Sequence, residues 1–474
     1  MKKAKLISTT LLLVIVAMGL ALLMPFAMAV TASASTTINE YPVPTPSSQP
    51  TDITTGPDGN LWFTEAHVNK IGKLTTSGSF TEYDVPTPDS MPAVIVTGPD
   101  NNLWFTEVNG NNIGTLTTSG TFTEYHVPTP DSKPVVITTG PDGNLWFTEL
   151  LGNKIGMVTT SGTFTEYLVP TSNSGPGFIT TGPDGNLWFT EGYGNKIGTI
   201  TTSGSITEYL VPTFNCQPFD ITTGPDGNLW FTEYTGNKIG EVTTSGTFTE
   251  YIIPTTGSGP FRIATGPDGN LWFTEALANQ MGEITTSGSA EAASTEKGRT
   301  AATSTTITEY PVPTSNSQPY GITAGPDSNI WFTERESNKI GEMQLGPQVT
   351  SITPNYGVEN TIVDVTSIAG TGFKTGATVR IEKPGTTVNA TDVTVVSSTK
   401  ITCKLNLTGA PLGKYDVVVK NTDAQEATLT QGFSVTNICG GGAAISLSVF
   451  GIMMGLLSIA GSTGLRKRFS RKKK

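Results

Sequence analysis

Short runs of alternating apolar and polar residues, separated by polar turns, repeat along residues 37–346 with a period of 42. The clearest copy, from Ile137 to Pro170, is ITTGPDGNLWFTELLGNKIGMVTTSGTFTEYLVP. Each of the chain's seven tryptophans marks one copy: Trp62, Trp104, Trp146, Trp188, Trp230, Trp272 and Trp331. The first six are evenly spaced, whereas the last interval is 59 residues. Such a period is typical of β-propellers and other repeat arrays.

Each copy divides into four strand-like runs joined by tight turns. The second run is Asn-Leu-Trp-Phe-Thr-Glu, and a Gly-Pro-Asp turn precedes it. Proline fixes φ in that turn, and an Asp-Gly pair supplies the positive φ that it needs. A Thr-Thr-Ser-Gly turn leads to the last run, which contains Thr-Glu-Tyr. Four short strands in about 40 residues match one propeller blade, so we predict an all-β fold with a seven-bladed propeller over residues 37–346.

The position of the Glu-Tyr pair predicts how the ring closes. One pair stands before the first blade at Tyr41, and none follows the seventh, which ends near Leu345. We therefore expect the strand around Tyr41 to complete the last blade and leave no open sheet edge. The adjacent Trp and Phe of each blade should pack between neighbouring blades, where each buried aromatic contributes about 1.5–3 kcal/mol.

The two ends and one insertion differ from the repeats. Residues 1–34 have the basic start, apolar run and small residues of a secretory signal peptide, with an uncleaved anchor as the alternative. Residues 287–304 are small and polar, which predicts a flexible insertion in the sixth blade.

Residues 437–474 contain a glycine hinge, an apolar segment from Ala443 to Leu465 and a basic end. An apolar helix of about 23 residues is long enough to cross a bilayer. The basic end favours the cytoplasmic side, so we expect a secreted protein anchored in the cell membrane with its domains outside. Processing of this tail and a permanent anchor remain equal alternatives.

Residues 347–436 have a different pattern, with alternating strands between Gly-rich turns. The segments PQVTSITPNYG, IAGTGFKTGATV, VVSSTKITCKL and APLGKYDVVVKN resemble the IPT/TIG family of immunoglobulin-like β-sandwiches. The resemblance implies a stalk, spacer or adhesion module.

Composition narrows the function. The formal charge is −11, and the basic residues at the two ends conceal a still more acidic middle. Nucleic-acid binding needs a basic surface, so we expect that this protein does not bind nucleic acid. Cys216, Cys403 and Cys439 are widely spaced and odd in number, which implies no disulfide framework. We expect Cys403 to be a small buried residue and Cys216 to lie in a loop as a free thiol.

Two acidic positions recur in every copy. An aspartate stands in each Gly-Pro-Asp turn, and a glutamate ends each Trp strand, from Glu65 to Glu334. A catalytic group is needed once and not seven times. We therefore interpret these acids as turn formers and polar strand ends.

Strand direction places the loops after Val-Pro-Thr and after Trp-Phe-Thr-Glu on one face, and there the copies differ. Aromatic and charged residues are concentrated at these loops, mainly in blades four to seven. The predicted ligand-binding residues are Asp52, Phe178, Tyr193, Phe219, Asp220, Tyr234, Phe261, Arg262 and Tyr320. Aromatics with a few charges suit a sugar or peptide. The alternative is that they only plug the mouth of the channel.

The repeated segments GPDGNLWFTE, NKIG and TEY-x-VP over residues 37–346 resemble the streptogramin lyase family, of the virginiamycin B lyase type. The resemblance implies a seven-bladed propeller and a Mg²⁺-dependent elimination that opens the lactone of a cyclic depsipeptide. The family's two histidines correspond here to Tyr320 and Phe261. Its metal-binding glutamates correspond to Gln318 and to Arg335 or Glu334. The chain's two histidines, His67 and His126, follow no loop proline.

A tyrosine with an ordinary pKa is a poor base at neutral pH. The sequence therefore favours binding of an extracellular glycan, peptide or protein over catalysis. One alternative is a C–O lyase or other enzyme with a rearranged site, and only that alternative would use Mg²⁺; we expect no cofactor otherwise. A second alternative is a structural component of a surface layer.

Overall fold

A computed structural model of the protein describes residues 37–285 and 305–437. These residues form strands β1 to β36 and no helix. They divide into two compact units, with the boundary between Gly346 and Pro347. The predicted signal peptide, the insertion and the apolar tail helix lie outside the described residues, and so does Cys439. Within the described part, no helix meets the length and hydropathy of a membrane span.

The first unit contains twenty-eight strands. They are β1 (Thr37–Pro42), β2 (Pro50–Thr55), β3 (Leu61–Glu65), β4 (Lys70–Leu74), β5 (Phe80–Asp84), β6 (Pro92–Thr97), β7 (Leu103–Glu107), β8 (Asn112–Leu116), β9 (Phe122–His126), β10 (Pro134–Thr139), β11 (Leu145–Glu149), β12 (Lys154–Val158), β13 (Phe164–Leu168), β14 (Pro176–Thr181), β15 (Leu187–Glu191), β16 (Lys196–Ile200), β17 (Ile206–Leu210), β18 (Pro218–Thr223), β19 (Leu229–Glu233), β20 (Lys238–Val242), β21 (Phe248–Ile252), β22 (Pro260–Thr265), β23 (Leu271–Glu275), β24 (Gln280–Ile284), β25 (Ile307–Pro311), β26 (Pro319–Ala324), β27 (Ile330–Glu334) and β28 (Lys339–Gln344).

These strands form seven four-stranded antiparallel sheets, which are the seven blades predicted from the sequence. In the third blade the order is β10-β11-β12-β13, and the other blades repeat it. The innermost pairing shifts register between Pro134 and Ile137, and the same irregularity occurs in every blade. Each innermost strand therefore has a bulge next to the variable face, which leaves local N–H groups for side chains to satisfy.

The ring closes as predicted. Strand β1 pairs antiparallel with β28, from Thr37 opposite Gln344 to Pro42 opposite Lys339. The N-terminal strand is thus the outer strand of the seventh blade. Lys339 donates to the Glu40 carboxylate at 2.7 Å across this junction, so the two ends of the propeller are joined by an ion pair as well as by the sheet.

Aromatic packing between blades holds the ring together. Trp62 of the first blade and Phe105 of the second belong to one buried cluster. Trp331 of the last blade and Phe63 of the first are likewise buried in one cluster. Adjacent side chains on a strand point to opposite faces, so each Trp-Phe pair reaches both neighbouring blades. This confirms the predicted aromatic layer.

The repeated aspartates support the tryptophans. In the third blade the Trp146 indole Nε1 donates to Asp142 Oδ1 at 3.0 Å. The backbone N–H of Asn144 donates to the same carboxylate, which closes the turn. Trp146 also stacks on Tyr167 of its own blade with 5.7 Å between ring centroids. The interpretation of these aspartates as turn formers is confirmed.

The repeated glutamates are more deeply placed than polar strand ends. All seven are fully buried, with 0% exposure. Neither carboxyl oxygen of Glu149 makes a hydrogen bond. Burial, reinforced by the negative charge of Glu166, raises the pKa of Glu149 to about 7. The glutamates do end their strands, as interpreted, but they lie in the protein interior.

The second unit contains eight strands: β29 (Gln348–Thr353), β30 (Tyr356–Val358), β31 (Ile362–Thr371), β32 (Thr378–Lys383), β33 (Thr386–Ser397), β34 (Lys400–Asn406), β35 (Gly413–Lys420) and β36 (Glu426–Thr436). Their order is β29-β31-β34-β33-β32-β35-β36-β30. The first part of β33 pairs with β32 and the rest with β34, so this strand changes partners midway. The core contains Tyr415, Phe433 and Cys403. The resemblance of this unit to IPT/TIG domains stays a prediction.

Both cysteines in the described part are free and buried. Cys403 is 4% exposed in the core of the second unit, as expected for a small apolar residue. Cys216 occupies the loop position that serine fills in the other blades, and it is also fully buried. Burial raises the pKa of the Cys216 thiol, so this side chain is unreactive as a thiolate.

Candidate ligand-binding site on the variable face

The variable loops enclose a cavity of about 450 Å³ at the centre of the propeller. A cavity of this volume accommodates a small ligand or the end of a larger one. The lining residues come from the two kinds of loop that differ between copies. They are Gln49, Thr51, Asp52, Ala66, His67, Asn69, Asp89, Met91, Ala93, Val94, Val108, Asn109, Val135, Phe178, Phe219, Arg262, Tyr320 and Arg335.

Hydrogen bonds between blades fix the two residues that follow each loop proline. The Thr232 hydroxyl donates to the carbonyl of Phe261 at 2.8 Å, and the Thr274 hydroxyl donates to that of Tyr320 at 3.0 Å. The same Thr274 hydroxyl accepts the N–H of Arg262 at 3.0 Å. The threonine of each Trp-Phe-Thr-Glu strand therefore positions the backbone of the site, while the variable side chains remain free to differ.

Phe178, Phe219 and Tyr320 line one wall of the cavity, and Phe261 and Tyr234, which do not line it, pack against them. The rings of Phe178 and Phe219 lie 5.1 Å apart between centroids. Phe219 contacts Phe261 at 3.9 Å, and Phe261 contacts Tyr320 at 3.8 Å. Tyr234 packs beside them, 6.1 Å from Phe261 in an edge-on arrangement. Five of the predicted residues thus make a continuous cluster across blades four to seven.

Arg262 is a buried cation next to this wall. It forms ion pairs with Asp52 at 2.6 Å and with Asp220 at 3.4 Å. Its guanidinium carbon lies 4.3 Å from the centroid of Phe178, a cation–π contact. Burial raises the pKa of Asp220 to about 6, although the charge of Arg262 opposes the shift. The positive charge of Arg262 is therefore compensated inside the protein.

The two aspartates also satisfy the backbone. Asp52 accepts the N–H of Ile95 in the second blade at 3.0 Å. Asp220 accepts the N–H of Ile263 in the sixth blade at 2.8 Å. Both N–H groups lie at the bulge of an innermost strand. Asp52, Asp220 and Arg262 consequently form a structural network, in addition to any role that they have toward a ligand.

Arg335 is the second cation of the cavity and is bonded very differently. Its guanidinium carbon lies 5.2 Å from the centroid of Tyr320. One terminal nitrogen donates to Gln49 Oε1 at 3.4 Å. The buried Nε has no hydrogen-bond partner, which is also true of the Nε of Arg262. No carboxylate in the described residues forms an ion pair with it.

Three of the residues singled out from the sequence lie apart from this cluster. Tyr193 is 70% exposed and does not line the cavity. Its ring covers Gly175, which has positive φ and no room for a Cβ. Glu334 is fully buried behind the site, where Ser337 donates to it at 2.9 Å. Gln318 contributes its carbonyl to the N–H of Arg335 at 3.1 Å.

The opposite wall was missed by the sequence analysis. Blades one to three supply it, with the small side chains of Ala93 and Val94 facing the region of the large aromatics. These residues follow a loop proline as Phe219 and Phe261 do, but they carry no distinctive chemistry. The available signal was the change in side-chain size around the ring. Gly321 belongs to the same set, because a Cβ there would lie 2.7 Å from the carbonyl oxygen of Thr51.

The positions that the family resemblance assigns to Mg²⁺ do not fit that ion. Arg335 brings a cation into the cavity, and the buried Glu334 has its pKa raised to about 7 by burial. Mg²⁺ prefers ionised carboxylates and other oxygen ligands in an open octahedral arrangement. In residues 37–285 and 305–437, His, Cys, Asp and Glu side chains form no group of three or more suited to a metal. No metal-dependent step is derived for this site.

The fold and the site define a seven-bladed propeller with one central cavity on its variable face. The model of the virginiamycin B lyase family matches residues 30–176 and 165–296, more than half of the chain. The chain belongs to the virginiamycin B lyase family.

Three solved structures are similar to the propeller. A streptogramin B lyase is 43% identical, with a TM-score of 0.60, and the match covers 65% of this chain and 97% of that one. Virginiamycin B lyase from Staphylococcus aureus is 41% identical over 65% of this chain and 99% of its own, with a TM-score of 0.60. A catalytically inactive histidine-to-alanine variant of that enzyme with quinupristin is 40% identical, with the same coverage and TM-score.

Proposed function

We propose that the propeller binds an extracellular glycan, peptide or protein in the central cavity of its variable face. The observation that carries this proposal is the cavity itself. It has the volume of a small-ligand site and combines an aromatic wall and a small apolar wall with polar groups that can orient a ligand.

The side chains at the family's catalytic positions support binding over catalysis. The rings of Phe261 and Tyr320 are in contact, with 3.8 Å between centroids and a tilt of 40°, and neither side chain is a base at neutral pH. Burial raises the pKa of Tyr320, which keeps its hydroxyl protonated. A general base must be deprotonated and within reach of the substrate proton.

The proposal includes a location. The apolar segment 443–465 and the basic end that follows it would hold the protein in the cell membrane, with the propeller outside. Protease treatment of intact cells tests this. Digestion of the propeller without lysis is the expected result, and protection until lysis would contradict it.

Glycan and peptide arrays test the binding function directly. We expect the full-length protein to give hits that Phe219→Ala and Tyr320→Ala weaken, since both side chains line the cavity. A matched control is Tyr193→Ala, which removes an aromatic from the same face but outside the cavity. Absence of hits, or equal loss in all three variants, contradicts the proposal.

A second candidate function is lactone opening by a rearranged site. Membership of the virginiamycin B lyase family and 43% identity to a streptogramin B lyase favour it. Incubation of the protein with a cyclic depsipeptide and Mg²⁺, followed by mass spectrometry, measures it. Turnover above that of buffer, lost in Phe261→Ala or Tyr320→Ala, would support lactone opening by this protein. Turnover equal to that of buffer would exclude this activity.

A further inference from the structure

The two arginines of the cavity differ in charge compensation. Arg262 has two carboxylate partners, Asp52 and Asp220, at 2.6 and 3.4 Å. Arg335 has none in the described part of the chain, and its only side-chain hydrogen bond is a long one to Gln49. Asp89, the remaining acid of the lining, is exposed and makes no ion pair with a described residue. A half-buried guanidinium without an anion is costly unless a bound group supplies the charge.

Tyr320 provides a second donor beside this arginine. Its ring lies under the Arg335 guanidinium, and its hydroxyl makes no hydrogen bond to a described residue. The hydroxyl is a donor as well as an acceptor, whereas a guanidinium only donates. Arg335 and Tyr320 therefore offer donors that a carboxylate accepts well.

Two stretches of the cavity lining are apolar. Phe178 and Phe219 lie on one wall, and Ala93, Val94 and Val108 lie on the other. The polar lining residues, such as Gln49, His67 and Asn109, lie outside these two stretches. A sugar needs hydrogen-bonding groups around its ring, and the side chains of these two stretches offer none. An apolar body with a single anionic end fits both features.

We propose that the cavity binds the C-terminal carboxylate of a peptide with apolar terminal side chains, with Arg335 as the anchor of the carboxylate. This rests on the proposed binding function and specifies its ligand. The carboxylate neutralises the charge of Arg335, and the terminal side chains lie between the aromatic wall and the small apolar wall. Only the C-terminal end of the peptide enters the cavity, and the remainder of a longer peptide extends into solvent.

The repeat supplies fold-compatible variants for the test. Arg335 follows the glutamate that ends the Trp strand of the seventh blade. The equivalent residues of the first and sixth blades are Ala66 and Ala276, so Arg335→Ala introduces a residue that the repeat already accepts there. Lys133→Gln is the matched control. It removes one positive charge from the same face, outside the cavity lining, and glutamine occupies the same loop position at Gln49 and Gln318.

Calorimetric titration of the full-length protein uses N-acetylated dipeptides of Phe, Leu and Val, each as the free acid and as the C-terminal amide. We expect the acid to bind at least about tenfold more tightly than the amide, in line with a charge-assisted hydrogen bond. Arg335→Ala should abolish that preference and Lys133→Gln should retain it.

Each of the other outcomes contradicts a specific part of the proposal. Equal binding of acid and amide to the unaltered protein removes the carboxylate anchor and leaves the binding function intact. Binding of uronic-acid oligosaccharides without binding of any peptide acid replaces the peptide by an acidic glycan. A preference that survives in Arg335→Ala assigns the anion to another group. No binding of peptides, uronates or array ligands overturns the proposed function together with this inference.

Discussion

The two faces of the propeller use charge in opposite ways. On the face of the Gly-Pro-Asp turns, an aspartate accepts the indole N–H of its own tryptophan in every blade, as Asp142 does for Trp146 at 3.0 Å. On the variable face, the charged loop residues differ from blade to blade, and Arg335 has no compensating carboxylate in the described residues. The turn aspartates that every copy shares are bonded within their blades, whereas Arg262, which occurs once, has its carboxylate partners in the first and fifth blades.

The largest effect on stability should come from the residues that every blade shares. Trp146→Ala removes a fully buried ring from the layer between blades. We expect a loss of about 3–5 kcal/mol in the free energy of unfolding, because the truncation leaves a large cavity. Urea denaturation monitored by circular dichroism measures it. A loss below about 1 kcal/mol would show that the ring does not depend on the aromatic layer.

The buried network of the variable face should rank second. Arg262→Leu leaves Asp52 and Asp220 without their cation, and we expect a loss of about 3 kcal/mol at pH 7.5. Because the pKa of Asp220 is raised to about 6 by burial even with Arg262 present, protonation at pH 5 should recover part of the loss. Denaturation at the two pH values measures this. An equal loss at both would show that the carboxylates are not the cause.

The buried glutamates should make stability depend on pH. The pKa of Glu149 is raised to about 7 in the folded protein by burial, against 4.5 as the ordinary value. A carboxyl group whose pKa is raised in the folded state stabilises the folded protein fully when the pH is below the ordinary pKa. That contribution is lost as the pH rises through the folded-state pKa. Unfolding free energy should therefore fall between about pH 4.5 and pH 7.

One glutamate variant isolates this effect. Glu149→Gln cannot ionise and should reduce the fall by about 1–3 kcal/mol, the value of the shift at one site. The comparison variant is Glu166→Gln in the outer strand, which removes the like charge near Glu149 but leaves its burial, so it should reduce the fall by less. Burial alone would raise the pKa of Glu166, but hydrogen bonds from Lys154 and Thr129 lower it, so its contribution is lost only at acid pH. Identical pH profiles for both variants would contradict the assignment.

The sequence predicted the ring because its period is carried by residues with a physical role. The Trp-Phe pairs, the Gly-Pro-Asp turns and the early Glu-Tyr at Tyr41 led to seven blades and to their closure by β1, which pairs with β28. The burial of Glu149 was not predictable from its strand alone. It depends on residues of neighbouring loops, such as Gly152, which lies close to the Glu149 carboxyl group.

The site was only partly predictable for a related reason. Phe219, Phe261 and Tyr320 were singled out by side-chain chemistry at equivalent loop positions, and the structure brings them into contact. Ala93 and Val94 form the opposite wall because they are small, which no motif reveals. The pairing of Arg262 with Asp52 joins residues 210 positions apart, so only the closed ring brings them together.

The smallest expected effect concerns Tyr193, which the sequence analysis grouped with the aromatic cluster. It is 70% exposed and covers Gly175 at the rim, so Tyr193→Ala should change unfolding free energy by less than about 0.5 kcal/mol. Affinity for an acid dipeptide should also stay within about twofold, because the side chain does not line the cavity. Phe219→Ala, measured by the same titration, should weaken binding at least about tenfold, since it removes part of the aromatic wall. If Tyr193→Ala weakens binding as much as Phe219→Ala does, the ligand extends over the rim, and the site includes the outer loops of the fourth blade as well as the central cavity.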